Sequence, residues 1–352
     1  MSVQKNMKSS PKIFKIMHDD RDWLPVFLYT CFLKDHDIVI DFNPEGECHR
    51  YGGTYKLLDE FCVRTGYDAG RITIRTGNML EYHDKYNIER VSKFWYEVGR
   101  IQDWVKGKSL TSGTMPTKHF GHFVGRSQWP RLWMASILDS KYSNITLQTF
   151  HSGLGSNYVI KKESEITDPL GFDDLIKYNC NSLVEVSKFL NTCPRTIPGD
   201  LEFVKTCRQE VIGQTDYYPI QHPANLNITQ YYPHIFVDIV NESQFAGNCF
   251  FVTEKTWRCI VARRPFIIFS NTGFLKNLKR LGFRTFDKFW PEVYDEAGMQ
   301  HRIKEIELLL TSLSAYDQDQ LTNLLKEMKD ILDHNYDTFC SLTYGKIREV
   351  FQ

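Results

Sequence analysis

Glu254 and Lys255 stand side by side at the start of a predicted helix, and this acid–base pair is the most informative chemical feature of the chain. Thr253 precedes them, in the position where a hydroxyl often caps a helix. The exposed N–H groups of a helix start attract anions, and a lysine adds a positive charge there. A carboxylate beside it can accept hydrogen bonds from ribose hydroxyls. The pattern indicates either a nucleotide-binding helix start or an ordinary capped helix.

Two arginines form a second candidate group, suited to binding phosphate. Arg126 falls in a predicted turn after the strand-like run 119–124, and Arg131 falls in the first turn of the helix predicted to follow. A guanidinium can bridge two phosphate oxygens in bidentate geometry, which the single ammonium of a lysine cannot do. The alternative is that one of the two arginines binds surface carboxylates instead.

Glu242 and Ser243 form a third candidate group, directly after the strand-like run 234–240. In an open parallel sheet, the carboxyl ends of the strands line the crevice where ligands bind. Both residues are therefore predicted to contact the same ligand as the acid–base pair. Ordinary solvated loop residues would produce the same pattern, so that alternative stays open.

Glu45 and Glu47 are the predicted catalytic bases. They lie in the loop after the strand-like run 37–42. Transfer of a group to a hydroxyl needs a side chain that takes the hydroxyl proton, and a carboxylate can do so. The His-Asp-Asp loop at 18–20 is the alternative, and both loops could be polar simply because water surrounds them.

Three Asp-x-Asp triplets raise the question of a metal site, because two carboxylates can hold a hard cation against a diphosphate. The triplet at 317–319 lies between two predicted helices, and the triplet at 35–37 precedes a strand instead of following one. Only the triplet at 20–22 follows a strand, and it lies in the half of the chain without the acid–base pair. The sequence therefore predicts chemistry that needs neither a metal nor a bound cofactor.

The elements that must position these groups alternate between strand and helix. Alternation of this kind predicts an α/β fold with parallel sheets and helices on their faces. The Gly-, Ser- and Thr-rich stretch 106–118 is a predicted linker, which divides the chain into an N-terminal lobe at 1–115 and a second lobe at 116–352. Apolar residues at helical spacing within 303–310 and 321–332 predict two closing helices. The strands are predicted at 12–17, 37–42, 71–75, 119–124, 234–240 and 265–269.

Composition limits the partners of the chain. Its 352 residues exceed the roughly 250–300 at which a single core stops growing, which favours two domains. The 43 basic and 43 acidic residues create no global field for polyanions, so DNA binding would need a local patch. A solvated face is the alternative explanation of such a patch. Its candidates are Lys85, Arg90, Lys93, Arg100, Lys106, Lys108 and Lys118.

Location follows from two further patterns. No apolar run approaches the roughly 20 residues that a membrane helix needs, so no membrane association is expected. The nine cysteines are scattered, without a CxxC pair or metal-ligand spacing, which predicts reduced thiols in a cytoplasmic protein. The oligomeric state stays open.

Residues 119–138, 234–243 and 250–296 together resemble the donor domain of the α1,3-fucosyltransferase-like glycosyltransferases. Val252-Thr253-Glu254-Lys255 matches the Val-Thr-Glu-Lys motif of that family, and Arg131 matches an arginine near the start of the helix after the domain's first strand. Asn241-Glu242-Ser243 resembles the Glu-Asn-Ser turn in altered order. The resemblance implies that Glu254 and Lys255 hold the ribose and the diphosphate of a nucleotide sugar, while Arg131 helps to neutralise the phosphates.

The segment 273–295 is more similar to glycosyltransferase-like proteins of large tailed phages. The resemblance implies a GT-B-like architecture, with two facing Rossmann-like lobes, a cleft between them and C-terminal helices. It also implies an inverting, metal-independent transfer from a UDP- or GDP-linked sugar to an acceptor hydroxyl. A hydroxymethylated pyrimidine in phage DNA is the candidate acceptor, in the host cytoplasm. A catalytically inactive GT-B-like binding or virion protein is one alternative. Another nucleotide-dependent α/β enzyme is the second, although no GxGxxG follows the first strand.

Overall fold

The structure is a computed structural model in which two compact units are distinguished by their internal contacts. The first unit comprises Met1–Glu97, Gln244–Phe251 and Thr343–Gln352, and the second comprises Val98–Ser243 and Val252–Leu342. The chain therefore passes between the units four times. The first unit ends its main segment before residue 115, where sequence reasoning divides the chain. The residues described are 12–15, 24–32, 36–42, 53–90, 93–106, 115–124, 128–150, 172–178, 183–193, 195, 197, 228–245 and 247–351.

The first unit contains a four-stranded parallel sheet in sequential order, β1-β2-β3-β4. One crossover helix connects β1 to β2 and another connects β2 to β3, whereas residues 77–86 connect β3 to β4 without a helix. The inward residues of β2 and β3 are isoleucines with no exposed surface, which is typical of strands covered by helices. The elements are β1 (Lys12–Lys15), α1 (Leu24–Phe32), β2 (Ile38–Asp41), α2 (Thr54–Thr65), β3 (Ile72–Thr76) and β4 (Asn87–Arg90).

Asn78, fully buried after β3, fixes the segment 244–251 to the first unit. Its side-chain oxygen accepts hydrogen bonds from the N–H groups of Leu80 and Phe250, both at 3.0 Å. Its amide nitrogen donates to the carbonyl oxygen of Asn248 and to a carboxylate oxygen of Glu81, also at 3.0 Å. One side chain thus satisfies two backbone groups of this irregular segment.

The second unit contains a parallel sheet in the order β6-β5-β7-β8. The predicted α/β class with parallel sheets is confirmed. A helix precedes the sheet, one crossover helix joins β5 to β6, and another joins β7 to β8. The elements are α3 (Lys93–Val105), β5 (Lys118–Val124), α4 (Trp129–Tyr142), β6 (Thr146–Phe150), α5 (Phe172–Lys177), α6 (Leu183–Leu190), β7 (Ile235–Asn241), α7 (Glu254–Val261), β8 (Phe266–Phe269) and α8 (Phe274–Arg280).

The strand order of this sheet reverses between β5 and β7. Because crossovers between parallel strands are right-handed, the reversal places α4 and α7 on opposite faces of the sheet. The two strands also part here: their last paired residues are Gly121 and Asp238. Each continues for three more residues, to Val124 beside β6 and to Asn241 beside β8. The parting leaves a gap at the carboxyl edge, where ligands bind in this class of sheet.

Four closing helices follow β8 and α8, whereas the apolar spacing predicts two. Met328 separates α10 from α11, but the apolar residues keep their helical spacing across it. The sequence pattern therefore predicts one helix where the structure has two. The final helix is short and was not predicted. The closing helices are α9 (Met299–Ser314), α10 (Gln318–Glu327), α11 (Lys329–Ser341) and α12 (Tyr344–Phe351). In the described part of the chain, no helix combines the length and apolarity that a membrane span requires.

The close packing of β5 against β7 predicts that Gly121 tolerates no side chain. A Cβ at this position would lie 2.4 Å from Cδ1 of Ile235 and 3.1 Å from the ring of Phe123. Both neighbours are buried, so they can shift away from a new methyl group only at the expense of their own packing. We expect Gly121→Ala to lower the free energy of unfolding by about 1–3 kcal/mol, measured by denaturant titration.

Two further variants identify the cause. Ile235→Val removes Cδ1, so adding it to Gly121→Ala should cost less than the sum of the single changes. Gly99 in α3 is the control, because a Cβ there meets nothing within 4 Å. Gly99→Ala should stabilise the helix by about 0.5–1 kcal/mol. A Gly121→Ala protein as stable as the parent would contradict the packing described.

Candidate functional site

Helix α7 begins where the sequence predicts, with Thr253 as its N-cap. The backbone of Thr253 is extended, with φ −105° and ψ 178°, and its hydroxyl oxygen accepts a hydrogen bond from the N–H of Lys255 at 3.4 Å. The helix turns its apolar side inward, so Trp257, Ile260 and Val261 are all buried. The cap and this apolar face together fix the direction in which the first turn points.

The carboxylate of Glu242 joins the end of β7 to the start of α7. One oxygen accepts hydrogen bonds from the N–H of Thr253 at 3.1 Å and the hydroxyl of Thr256 at 2.6 Å. The other accepts from the hydroxyl of Thr253 at 2.6 Å and the N–H of Ser243 at 3.3 Å. Glu242 is 1% exposed, so these donors replace the water that its charge would otherwise need. We call Glu242, Thr253 and Thr256 the Glu242 cluster.

Lys255 folds back over this cluster. Its ammonium nitrogen donates to a carboxylate oxygen of Glu254 at 2.9 Å, to the hydroxyl of Thr253 at 3.1 Å and to that of Ser243 at 3.3 Å. The structure therefore brings together five residues that sequence reasoning assigned to one ligand. The side chains of Lys255 and Glu254 are only 17% and 14% exposed, so little water screens their attraction.

The two carboxylate oxygens of Glu254 differ, because only Oε1 accepts a hydrogen bond from Lys255. Oε2 is buried and has no hydrogen-bond partner in the described part of the chain. Burial raises the pKa of this carboxyl, but the charges of Lys255 and Arg258 outweigh burial and lower the pKa to about 2. The group is ionised at neutral pH, and a buried ionised oxygen without a donor is costly. A hydroxyl from a ligand would supply that donor.

A small pocket occupies the gap where β5 and β7 part. The residues after the last pair, His122–Val124 on β5 and Ile239–Asn241 on β7, form its walls. Helix α4 contributes to it from one face of the sheet and helix α7 from the other. We call it the switch-point pocket, and its polar lining side chains are His122, Arg131, Asp238, Asn241, Lys255 and Arg258.

Arg131 and Lys255, predicted from sequence, both line the switch-point pocket. Arg131 is 4% exposed and lies in the first turn of α4. Arg126, Glu45 and Glu47 lie outside the described residues, so their assigned roles stay predictions. The same holds for the loop 18–20 and the triplet 20–22.

Sequence reasoning missed three residues of the pocket, and each left a signal. Arg258 lies four residues after Glu254, which puts both on one face of a helix. Asp238 interrupts the otherwise apolar strand Ile235–Asn241, and His122 interrupts the apolar part of Lys118–Val124. A charged or polar residue inside a buried strand needs partners, and that need is a reason to suspect a site.

Asp238 is held by two donors at the base of the pocket. The hydroxyl of Tyr232 and the thiol of Cys259, at 3.3 Å, both donate to its Oδ2. Burial raises the pKa of Asp238, while these donors and Arg258 act in the opposite direction. Burial and the nearby carboxylate raise the pKa of both Tyr232 and Cys259 well above their usual values, so both keep their protons as donors.

His122 is a neutral histidine within the pocket. Its Nε2 lies 2.7 Å from Oδ1 of Asn241, whose amide nitrogen donates to the carbonyl oxygen of Pro130 at 3.5 Å. This orientation of the amide requires that Nε2 carries the imidazole proton. Burial, followed by the charge of Arg131, lowers the pKa of His122 to about 4, although Asn241 and Gln148 favour the charged form.

Four of the seven predicted DNA-binding cations have partners that the structure describes, and Arg100 keeps its place among the predictions. Lys85 pairs with Asp59 at 3.1 Å and Lys106 with Asp103 at 3.0 Å. Arg90 donates to the carbonyl oxygens of Glu81 and Phe351, and Lys118 donates to that of Asn144 at 2.6 Å. The side chain of Lys93 and all of Lys108 lie outside the described residues. The patch stays a prediction, and four of its members have other contacts.

The other Asp-x-Asp triplets have structural partners. Asp317 caps α10 through a capping box, accepting from the N–H of Gln320 at 2.8 Å. Asp37 pairs with Arg71 at 2.7 Å. Within the described ranges, no group of three or more His, Cys, Asp or Glu side chains could hold a metal ion. No family model, curated protein or solved structure matches the chain.

The Glu242 cluster predicts a large loss of stability on removal of one charge. Glu242→Gln keeps the shape but replaces an accepting oxygen by a donor, which then faces N–H and hydroxyl donors. We expect the free energy of unfolding to fall by about 2–3 kcal/mol in denaturant titration. Glu296, exposed and 3.5 Å from Lys276, is the matched control, and Glu296→Gln should change stability by less than about 0.5 kcal/mol. Equal stabilities for both variants would refute the cluster's role.

The neutral state of His122 predicts a specific pH dependence. Its pKa of about 4 in the folded protein lies below the ordinary value of about 6.5, so the unfolded chain binds its proton first. The contribution of neutral His122 to the free energy of unfolding is fully present above about pH 6.5, and it is lost as the pH falls toward about 4. Between pH 7 and pH 5 the loss is about 2 kcal/mol.

Comparing the parent protein with His122→Gln isolates this contribution, because the other ten histidines are present in both. Denaturant titrations at pH 7 and pH 5 should show a smaller loss of stability in the variant, by about 2 kcal/mol. Parallel losses in the two proteins would mean that His122 is not held neutral.

Proposed function

We propose that the chain is a glycosyltransferase that takes a sugar from a nucleotide-sugar donor and passes it to an acceptor hydroxyl. The observation that carries this proposal is the switch-point pocket. It lies where nucleotides bind in open α/β sheets, and cations from two different helices line it. Nucleotide sugars place two phosphates at such an edge, and their transfer leaves negative charge on the departing phosphate.

Each side chain at the pocket has a role in this proposal. Lys255 and Arg131 offset the charge of the donor diphosphate, and the N–H groups at the start of α7 add to the same field. Glu254 accepts a hydrogen bond from a ribose hydroxyl, because its buried Oε2 has no donor in the described residues. Glu242, whose four acceptor contacts are internal, positions this helix start.

The finer features of the proposal come from the resemblance to α1,3-fucosyltransferase-like and phage glycosyltransferases. They are a GT-B-like architecture, an inverting transfer without a metal or cofactor, and Glu45 or Glu47 as the base that deprotonates the acceptor. A UDP- or GDP-linked sugar is the proposed donor. A hydroxymethylated pyrimidine in phage DNA is the proposed acceptor, and the host cytoplasm the proposed location.

A binding protein without catalytic activity is the second candidate. The observation that favours it is the mutual pairing of Glu254 and Lys255, since a purely structural ion pair would look the same. A binding protein would be stabilised by nucleotides but would release no sugar. Turnover therefore separates the two candidates.

Donor binding can be tested by thermal unfolding in the presence of nucleotide sugars. A ligand bound only by the folded state at 100 times its Kd adds about 2.7 kcal/mol, so a UDP- or GDP-linked sugar should raise the Tm by several degrees. Glu254→Gln and Lys255→Met should each reduce this shift, and both should reduce the hydrolysis or transfer of the sugar.

Lys276→Met is the matched control. Lys276 is exposed and lies in the same unit as Lys255, and the substitution removes the same charge. It should leave both the shift and the turnover unchanged. Unchanged turnover in the Glu254 and Lys255 variants would refute these assignments. Stabilisation by nucleotides without any turnover would favour the binding protein.

A further inference from the structure

Arg258 is a third cation of the switch-point pocket, and it lies outside the Val252-Thr253-Glu254-Lys255 run that carries the resemblance. It lies one turn beyond Glu254 on α7, so its side chain faces the same way as the acid–base pair. It lines the pocket together with Arg131 and Lys255, and it is 5% exposed. A buried guanidinium is costly unless opposite charges surround it.

The charges of two carboxylates, Glu254 and Asp238, act on Arg258. Burial lowers the pKa of its guanidinium, but Tyr232, Glu254 and Asp238 outweigh burial, so the pKa lies above its ordinary value. Asp238 is 2% exposed and is itself held by donors from Tyr232 and Cys259. Arg258 therefore stays charged beside the pocket, and Asp238 has little freedom to move away from it.

Arg131 and Arg258 approach the gap from the two faces of the sheet. Asn241 contacts α4 through the carbonyl of Pro130, whereas Asp238, three residues earlier on the same strand, contacts α7 through Cys259. Residues an odd number of positions apart on a strand point to opposite faces. The two guanidiniums thus flank one space instead of stacking on one side of it.

We infer that Arg258 binds the donor diphosphate together with Arg131, and that Asp238 is the positioning residue that holds Arg258 in place. Each guanidinium can bind a pair of phosphate oxygens, so two of them match two linked phosphates better than one. The inference deepens the proposed function and rests on it. It assigns specificity for the diphosphate to a residue outside the Thr253-Glu254-Lys255 motif.

Equilibrium binding of UDP, GDP, UMP and GMP to the full chain tests the inference. Arg258→Gln should weaken nucleoside diphosphate binding by about 10- to 100-fold, the loss expected for charge-assisted hydrogen bonds. Binding of the monophosphates should weaken less, so the preference for diphosphate falls. Arg258→Lys should recover only part of the loss, because lysine lacks the bidentate fork.

Arg263, which lies between α7 and β8, provides the matched control. It pairs with Asp333 at 3.0 Å and lies over the ring of Tyr336, away from the residues that line the pocket. Arg263→Gln removes the same charge and should change diphosphate affinity by less than about twofold. An equal loss in Arg263→Gln and Arg258→Gln would show a general charge effect and would overturn the inference.

The positioning role of Asp238 has its own measurement. Asp238→Asn should weaken diphosphate binding, and adding it to Arg258→Gln should cause no further loss, because on this inference Asp238 acts on the diphosphate only through Arg258. Additive losses would overturn the positioning role. If Asp238→Asn does not fold, Tyr232→Phe removes one of the donors to the same carboxylate and should weaken binding in the same non-additive way.

The parent protein separates this inference from the proposed function. If it binds none of the four nucleotides and no nucleotide sugar stabilises it, the proposed function fails and the inference fails with it. If it binds UDP or GDP and Arg258→Gln binds as tightly, only the role of Arg258 is overturned. Tight binding that is lost in Arg258→Gln and kept in Arg263→Gln supports both.

Discussion

The carboxylate of Glu242 is the interaction on which the candidate site depends. The chain leaves the second unit after Ser243 and returns to it at Val252, so the end of β7 and the start of α7 are joined through a segment that belongs to the other unit. Glu242 bridges the two ends directly, through the N–H of Thr253 and the hydroxyls of Thr253 and Thr256. The helix start is therefore fixed to the strand end without relying on the path of the connecting segment.

The position of the cations follows from this bridge and from the strand order. With its first turn fixed to β7, α7 directs Lys255 and Arg258 toward the gap beyond the pair Gly121 and Asp238. Helix α4, connected to β5, supplies Arg131 from the opposite face. A reversal of strand order thus brings two helix starts to one place. The sheet of the first unit runs in sequential order among its described strands and has no such point.

Local patterns in the sequence were enough to predict part of the fold and site. Alternating strand and helix signals gave the parallel α/β class, and Thr253 before an amphipathic run gave the start of α7. That start also placed Glu254 and Lys255 in the first turn, although their ion pair with each other was not predicted. The point where β5 and β7 separate could not be predicted from the sequence, because strand register depends on contacts between distant segments. Asp238 and His122 were overlooked for a related reason: a polar residue in an apolar strand shows its purpose only when its neighbours are known.

Among the described residues, the pocket and the start of α7 carry equal numbers of cations and carboxylates, which constrains what the proposed ligand must offer. The cations are Arg131, Lys255 and Arg258, and the carboxylates are Asp238, Glu242 and Glu254. Because Lys255 pairs with Glu254, a phosphate that binds Lys255 must compete with this carboxylate. Of the three carboxylates, Glu254 is the easiest for a phosphate to replace as a partner of a cation. Glu242 and Asp238 are each held by hydroxyl donors that a phosphate would not remove.

If phosphate takes Lys255 from Glu254, Oε1 of Glu254 loses its donor while Oε2 already has none among the described residues, and a largely buried carboxylate in that state is unstable. A ligand that brings hydroxyl groups along with its phosphates replaces what it removes. A nucleotide does so through its ribose, whereas inorganic phosphate does not. The acid–base pair therefore favours a ligand with both groups over a simple anion.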